Sequence, residues 1–446
     1  MNILLVYPRW DYPTFGELQE PLGIMHIGAM LKRVGHNVRL LDLTVEPIEA
    51  LDAALPAAEM AGMSTSTAMY GRACRVLDRI KAARPDLPVV LGGPHATVLP
   101  AESLRRGFDA VALGEGEHTA VELAEAIAAG GPLHEVAGAV ALKDGEPAYG
   151  PPRPFEPNLD SLPDADRELI RYPEYFQRGL AHVGIMPTRG CPWNCLFCKP
   201  MQDKLFGRKV RSRSVKRVVA EMGGIVRNLG QRRFVFKDDT LALGGVAWFE
   251  EFERELKASG IGDVAWSCQA RVDQIERPLV EQMKRCGLEG IAFGVESGSQ
   301  KVLDYYRKGI KVEQTIAAFD LCHQLGIGTH AFIMLGAPVE NKQDLEATVR
   351  LVQRIQTESV SVSITTPAPG TALYDDILGS GSYNLKDPED SDYLQNRRPI
   401  LLSELSVSDL AEAERAILDL APRALFREQL EERLRKLTDA GPGTLA

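Results

Sequence analysis

Short apolar runs alternate with stretches of helical period along most of this chain. In its first third, runs at residues 3–7, 38–43, 59–63, 89–91 and 110–113 read as strands bounded by Gly, Pro or Asp. Between them, Ile27, Met30, Leu31 and Val34 fall on one helical face, as do Ala73, Val76, Leu77 and Ile80. Strands that alternate with helices predict a parallel sheet covered on both faces. The expectation for residues 1–145 is therefore an α/β, doubly wound layer of flavodoxin-like or Rossmann-like type. Asp144-Gly145 between apolar runs predicts a closing hairpin. Residues 146–180 hold seven prolines, and proline lacks the amide that a helix interior or a central strand needs, so a linker is expected there.

The alternation resumes over residues 181–375, with strands expected at 183–186, 234–237, 264–267, 291–295, 330–335 and 360–365. Six strand-and-helix units predict a partial (β/α)6 barrel, whose active groups gather at the carboxyl ends of its strands. Residues 376–446 turn polar and then read as two helices separated by Pro422, a helical C-terminal region serving as lid or brace. Phe426, Leu430, Leu434 and Leu437 in it form a stripe read as a packing face.

Composition narrows the class of protein. A net charge of -10 argues against broad attraction to nucleic acid or anionic membrane. No apolar stretch reaches the length of a membrane span. The opening MNILLVYPRW lacks a basic region ahead of its apolar run and reads as a buried strand, not a signal peptide. Cys74, Cys268, Cys286 and Cys322 are scattered without the spacing of a disulfide framework, which fits the cytoplasm; Cys268 reads as a core residue.

The remaining cysteines are not scattered. Cys191, Cys195 and Cys198, in TRGCPWNCLFCKP, form a C-x3-C-x2-C triplet that random placement of seven cysteines would give roughly 0.002 times per chain. Three thiolates on one loop can hold three irons of a [4Fe-4S] cluster and leave the fourth open. A structural zinc site is the alternative, but it wants a fourth Cys or His, and none lies close in sequence.

This spacing, with Phe197 before the last cysteine, resembles the signature of the radical S-adenosylmethionine superfamily. The resemblance implies that S-adenosylmethionine chelates the open iron and is cleaved by one electron to a 5′-deoxyadenosyl radical. It also implies that Phe197 lies near the adenine. Asp238 and Asp239, in VFKDDT, take the place where the family binds the methionine amino group; read alone, they are equally turn or cap residues. Arg271 in SCQARVD would pair with the carboxylate, and Glu296 in FGVESGSQ would accept the ribose hydroxyls. Gly336, Pro338 and Glu340 in LGAPVEN, with residues 367–371 in PAPGT, resemble adenine-side segments, a bare turn being the alternative.

In open α/β sheets ligands lie beyond the carboxyl ends of the strands, here residues 7–10, 64–67, 91–97 and 113–119. No G-x-G-x-x-G follows the first strand, so a nicotinamide cofactor is not expected. The succession PLGIMHIGAMLKRVGHNV, GMSTST, GGPHAT and GEGEHT is similar to the cobalamin-binding domain that precedes the radical domain in cobalamin-dependent radical S-adenosylmethionine enzymes. That resemblance implies cobalamin contacts at Ser64, Thr65, Thr67, Gly92, Gly93, His95, Gly114, Glu115 and Gly116. D-x-H-x-x-G is absent, so no histidine is assigned below the cobalt, and a layer kept for packing is the alternative.

The combined expectation is a methyltransferase acting on an unactivated carbon or phosphorus of a small molecule. Its rivals are cyclisation, rearrangement or oxidation on the same architecture, and a non-catalytic cobalamin sensor or carrier. A tRNA methylthiotransferase would need a second cysteine triplet in the first domain, where only Cys74 is present. Residues 203–217 hold seven basic groups and one acid, read as a solvated face or as a dock for an acidic electron donor such as flavodoxin or ferredoxin.

Overall fold

The computed structural model describes residues 1–8, 18–238, 241–379 and 401–421. Its first sheet has seven strands: β1 (Asn2–Tyr7), β2 (Asn37–Asp42), β3 (Met60–Ser64), β4 (Val89–Gly92), β5 (Ala110–Ala112), β6 (Ala139–Lys143) and β7 (Glu146–Tyr149), in the order β2-β1-β3-β4-β5-β6-β7. The first five are parallel, the flavodoxin-like order. Strand β1 shows why its run is apolar throughout. Ile3 and Leu5 pack with the helix Leu22–Arg33, while Leu4 and Val6 pack on the other face with the helix Tyr70–Ala83.

Asp144 and Gly145 turn the expected hairpin with φ of 51° and 85°, the left-handed conformation a tight two-residue turn demands. The pairing of β6 with β7 continues to Tyr149, so the expected boundary at residue 145 cuts the hairpin and must be corrected. Pro147 is accommodated because β7 is an edge strand. The proline-rich segment is also more ordered than a linker. Asn158 and Asp166 cap short 3-10 turns with their side chains, and a helix forms at Tyr172–Gln177 with Pro173 in its first turn, where the missing amide costs nothing.

The second sheet contains β8 (Val183–Ile185), β11 (Arg233–Phe236), β12 (Ala265–Ala270), β13 (Leu288–Glu296), β14 (Gly328–Leu335) and β15 (Ser359–Ile364), all parallel and in chain order from one edge to the other. These are the six expected strands. The intervening β9 (Thr188–Arg189) and β10 (Arg211–Ser212) form a small antiparallel ribbon with no signature in the sequence. Along β12 the side chains alternate. Trp266 and Cys268 are buried, Trp266 stacking with Phe236 at 4.9 Å, whereas Gln269 lines the cavity at the strand ends. Cys268 is thus a core residue, and burial pushes its thiol pKa well up.

The helix Val407–Leu420 is capped by Ser406 and Asp409 and puts Leu410 and Ile417 into the barrel core, acting as a brace. The expected stripe from Phe426 to Leu437 lies outside the described residues. Among the described residues no helix is long and apolar enough to cross a membrane.

A buried ionic chain ties the segment after β7 to both sheets. Arg167 donates to Gly184 O (2.7 Å), Glu221 (2.7 Å) and the Tyr172 hydroxyl (2.9 Å), while Tyr172 donates to Glu20 (3.0 Å). Arg213 pairs with Glu221 and with Asp164. Burial alone would raise the Glu221 pKa, but the charges of Arg167 and Arg213 outweigh it and bring it down to about 2.

Candidate active site

The cysteine loop runs from β9 to the helix Met201–Phe206 and is held from several directions. Cys191 N donates to Gly207 O (3.3 Å), Leu196 N to Tyr306 O (2.8 Å), Leu373 N to Leu196 O (3.1 Å) and Ala372 N to Lys199 O (2.7 Å). The Lys199 ammonium bonds Cys191 O at 2.8 Å. So held, the three cysteines line one cavity of about 610 Å³ against the carboxyl ends of β12 to β15. Three thiols lining one cavity are the donor set of an Fe-S cluster with one open iron.

Arg271, Glu296 and Lys308 line the same cavity. Glu296, at the end of β13 with φ of 63°, accepts from Lys308 Nζ at 2.7 Å, and both are buried. Lys308 Nζ also lies 5.7 Å from the centre of the Phe197 ring. Sequence reasoning missed Lys308, because its pairing with a residue at a strand end has no local signature. Gly294 completes this arrangement by having no side chain: a Cβ there would stand 2.6 Å from Glu296 Oε1 and 2.7 Å from Lys308 Nζ. Gly294→Ala therefore displaces the charged ends of Glu296 and Lys308, and we expect S-adenosylmethionine binding to weaken by up to about tenfold, on the order of 1.4 kcal/mol, by equilibrium dialysis.

Phe197 lines the cavity and meets the Tyr306 ring edge-on at 5.3 Å. Asp238 is buried at the end of β11 and accepts from the Thr188 hydroxyl at 2.8 Å; Asp239 lies outside the described residues. Gly336 and Pro338 form the turn after β14 but are not among the residues lining the cavity, where Phe332 and Met334 stand instead. That turn is held by Glu340, whose carboxylate accepts from Gly336 N and from Ala337 N (3.1 Å), so the adenine-side expectation for Glu340 is replaced by a backbone role. Burial pushes its pKa up to about 7. Thr371 pairs with Pro200 and thereby also steadies the cysteine loop.

In the first domain a second cavity, about 370 Å³, opens at the ends of β1, β3 and β4 and is lined by Tyr7, Ser64, Thr65, Ser66, Met69 and Pro94, with residues 19–24. Ser66 Oγ is buried there without a hydrogen-bond partner among the described residues, which fits a polar ligand at this place. Gly92 ends β4 and Gly93 follows it, while Thr67 opens a 3-10 turn beside the cavity. Four expected contacts are corrected. The His95 ring is fully buried, stacks on Tyr70 at 3.7 Å and has Nε2 3.4 Å from Glu102, so it faces the core. Glu115 is bound by Arg211 (2.9 Å to each oxygen) and by Arg189 (3.1 Å), because these barrel arginines reach across to the first domain. Gly114 lies against the barrel helix at Lys204 O, and Gly116 precedes the helix Glu117–Ala129 beside Ile27; neither lines the cavity.

The same contacts revise the basic segment. Arg211, Arg213 and Arg217 are consumed by Glu115, Glu221 and Asp164, which leaves Lys204, Arg208, Lys209 and Lys216 as its exposed cations.

Residues 13–124 match the family described as B12 binding domain, and residues 185–352 match the Radical SAM superfamily. The Uncharacterized methyltransferase PH0819 of Pyrococcus horikoshii is 30% identical over 84% of this chain and 83% of its own. The anaerobic magnesium-protoporphyrin IX monomethyl ester cyclase of Cereibacter sphaeroides is likewise 30% identical, over 66% of this chain and 49% of the cyclase. Among solved structures, the radical S-adenosylmethionine methyltransferase TsrM from Kitasatospora setae, with cobalamin and [4Fe-4S] cluster bound, matches 94% of this chain and 88% of that one with a TM-score of 0.75 at 16% identity, a likeness of fold.

Proposed function

The chain belongs to the radical S-adenosylmethionine superfamily and carries a B12-binding domain ahead of the radical domain, and from that premise we propose that it is a cobalamin-dependent methyltransferase acting on an unactivated carbon or phosphorus of a small molecule. The observation that carries the proposal is that three thiols and the Glu296–Lys308 pair line one cavity, with a second cavity at the strand ends of the first domain. When bound, the cluster with S-adenosylmethionine supplies a 5′-deoxyadenosyl radical and cobalamin supplies the methyl group.

The chain's own residues supply position. Cys191, Cys195 and Cys198 would hold three irons; Phe197 offers a ring face on one side of the cavity, and Glu296 offers carboxylate oxygens suited to ribose hydroxyls. Asp238 and Asp239 belong to the proposed methionine-binding end. Ser64, Thr65 and Ser66 with Tyr7 and Met69 would receive cobalamin. The apolar walls Phe332, Ile333, Met334 and Ile364 keep water from the reacting centre. An electron donor such as flavodoxin or ferredoxin would reduce the cluster.

The cyclase relatives favour a second reading, ring formation without methyl transfer; they are matched over 49–70% of their length, against 83% for the methyltransferase relative. One experiment separates them. Anaerobically reconstituted enzyme, supplied with reductant and S-adenosylmethionine carrying a deuterated methyl group, is given small-molecule extracts. Methylated product should appear with 5′-deoxyadenosine and S-adenosylhomocysteine in comparable amounts. Product formation with 5′-deoxyadenosine alone overturns methyl transfer and supports the second reading.

A further inference from the structure

Arg271 is placed unlike a residue waiting for a ligand. Its Nε donates to Asp273 Oδ1 (3.0 Å), and its Nη2 donates both to Asp273 Oδ2 (2.8 Å) and to Lys308 O (2.7 Å). The guanidinium centre lies 4.5 Å from the centre of the Trp193 ring, between the first and second cysteines of the loop. Its Nη1 donates to Cys195 Sγ at 3.9 Å. These bonds engage four of the five N–H groups of a guanidinium, so the forked, two-bonded grip on a free carboxylate is no longer open to it. The expectation that Arg271 pairs with the carboxylate of S-adenosylmethionine is thereby weakened, and Lys308 is the cation left in the cavity.

We propose that Arg271 acts on the cluster through Cys195: its positive charge and its N–H···S bond stabilise the reduced, more negative cluster and raise its reduction potential. The proposal rests on the cluster reading above. Hydrogen bonds to ligating sulfurs and nearby charge are among the influences that set cluster potentials; Arg271 supplies the bond to Cys195 directly, while Asp273 shares its charge on the side away from the sulfur. Asp273 positions the fork without cancelling this geometry, because its two bonds are to Nε and Nη2 and leave Nη1 pointing at the sulfur.

The test uses full-length enzyme loaded with iron, sulfide and hydroxocobalamin, with iron counted and the cluster titrated redox-potentiometrically by electron paramagnetic resonance in the absence of S-adenosylmethionine. At a fixed potential, Arg271→Met should lower the ratio of reduced to oxidised cluster by about tenfold, the equivalent of one charge-assisted hydrogen bond. Arg271→Lys keeps the charge, loses the fork and should fall between. A fully loaded Arg271→Met enzyme whose ratio stays within about twofold of the parent overturns the proposal. Should Arg271→Met fail to load iron, Arg271→Lys decides: without the Nη1–H···S bond its ratio should fall measurably below the parent's at full iron content, and an unchanged ratio overturns the proposal equally. Failure of the parent enzyme to bind iron at all would instead defeat the functional reading.

Discussion

Alanine at Cys195 or at Cys198 will abolish cluster binding and, with it, reductive cleavage of S-adenosylmethionine. Iron content after anaerobic reconstitution should fall to background, and 5′-deoxyadenosine formation should drop by three orders of magnitude or more, a barrier increase on the order of 4 kcal/mol. The contrast that makes this specific lies in the other thiols. Cys74, Cys268, Cys286 and Cys322 are buried in the core, where packing and not ligation accounts for them. Alanine at Cys268 should keep full iron content while costing about 1 kcal/mol of stability. Iron retained in the Cys195 variant, or lost in the Cys268 variant at unchanged fold, would contradict the assignment.

Glu221→Ala should be the most damaging single change to stability. It strips the shared carboxylate from Arg167 and Arg213, leaving Arg167 with Glu20 at 3.4 Å and Arg213 with Asp164, and breaking the network in this way costs about 3 kcal/mol. The urea midpoint of the parent and the variant measures this directly. The pH dependence has a definite sign. The folded pKa of Glu221, about 2, lies below its ordinary value of 4.5, so its contribution is present in full above the ordinary carboxylate range and is lost as pH falls from there toward 2. The variant should therefore show a flatter loss of stability with acid than the parent; parallel curves would count against the ion pair as the source.

What could be read from the sequence follows from which interactions are local. All eleven parallel strands arise from apolar runs whose period and length identify them without any partner, and β1 and β12 show the two burial patterns plainly. The cysteine triplet is equally local. Long-range pairing is not: Lys308 with Glu296, Arg211 with Glu115 and Arg167 with Glu221 join residues far apart in the chain, and no spacing rule foretells them. His95 illustrates the error this produces. A histidine after two glycines at a strand end looks exposed to a ligand, yet the helix Pro94–Val98 turns it inward onto Tyr70. The proline-rich segment misled for a different reason, since Pro173 falls in a first helical turn, where proline is tolerated.

The grip of Arg189 and Arg211 on Glu115 and Glu117 sets how the enzyme can move during turnover. Sliding one domain over the other would strand four ionised groups in a dry seam, so these pairs resist relative displacement of the two cavities. Moving the two cavities relative to one another would mean breaking every one of these bonds at once.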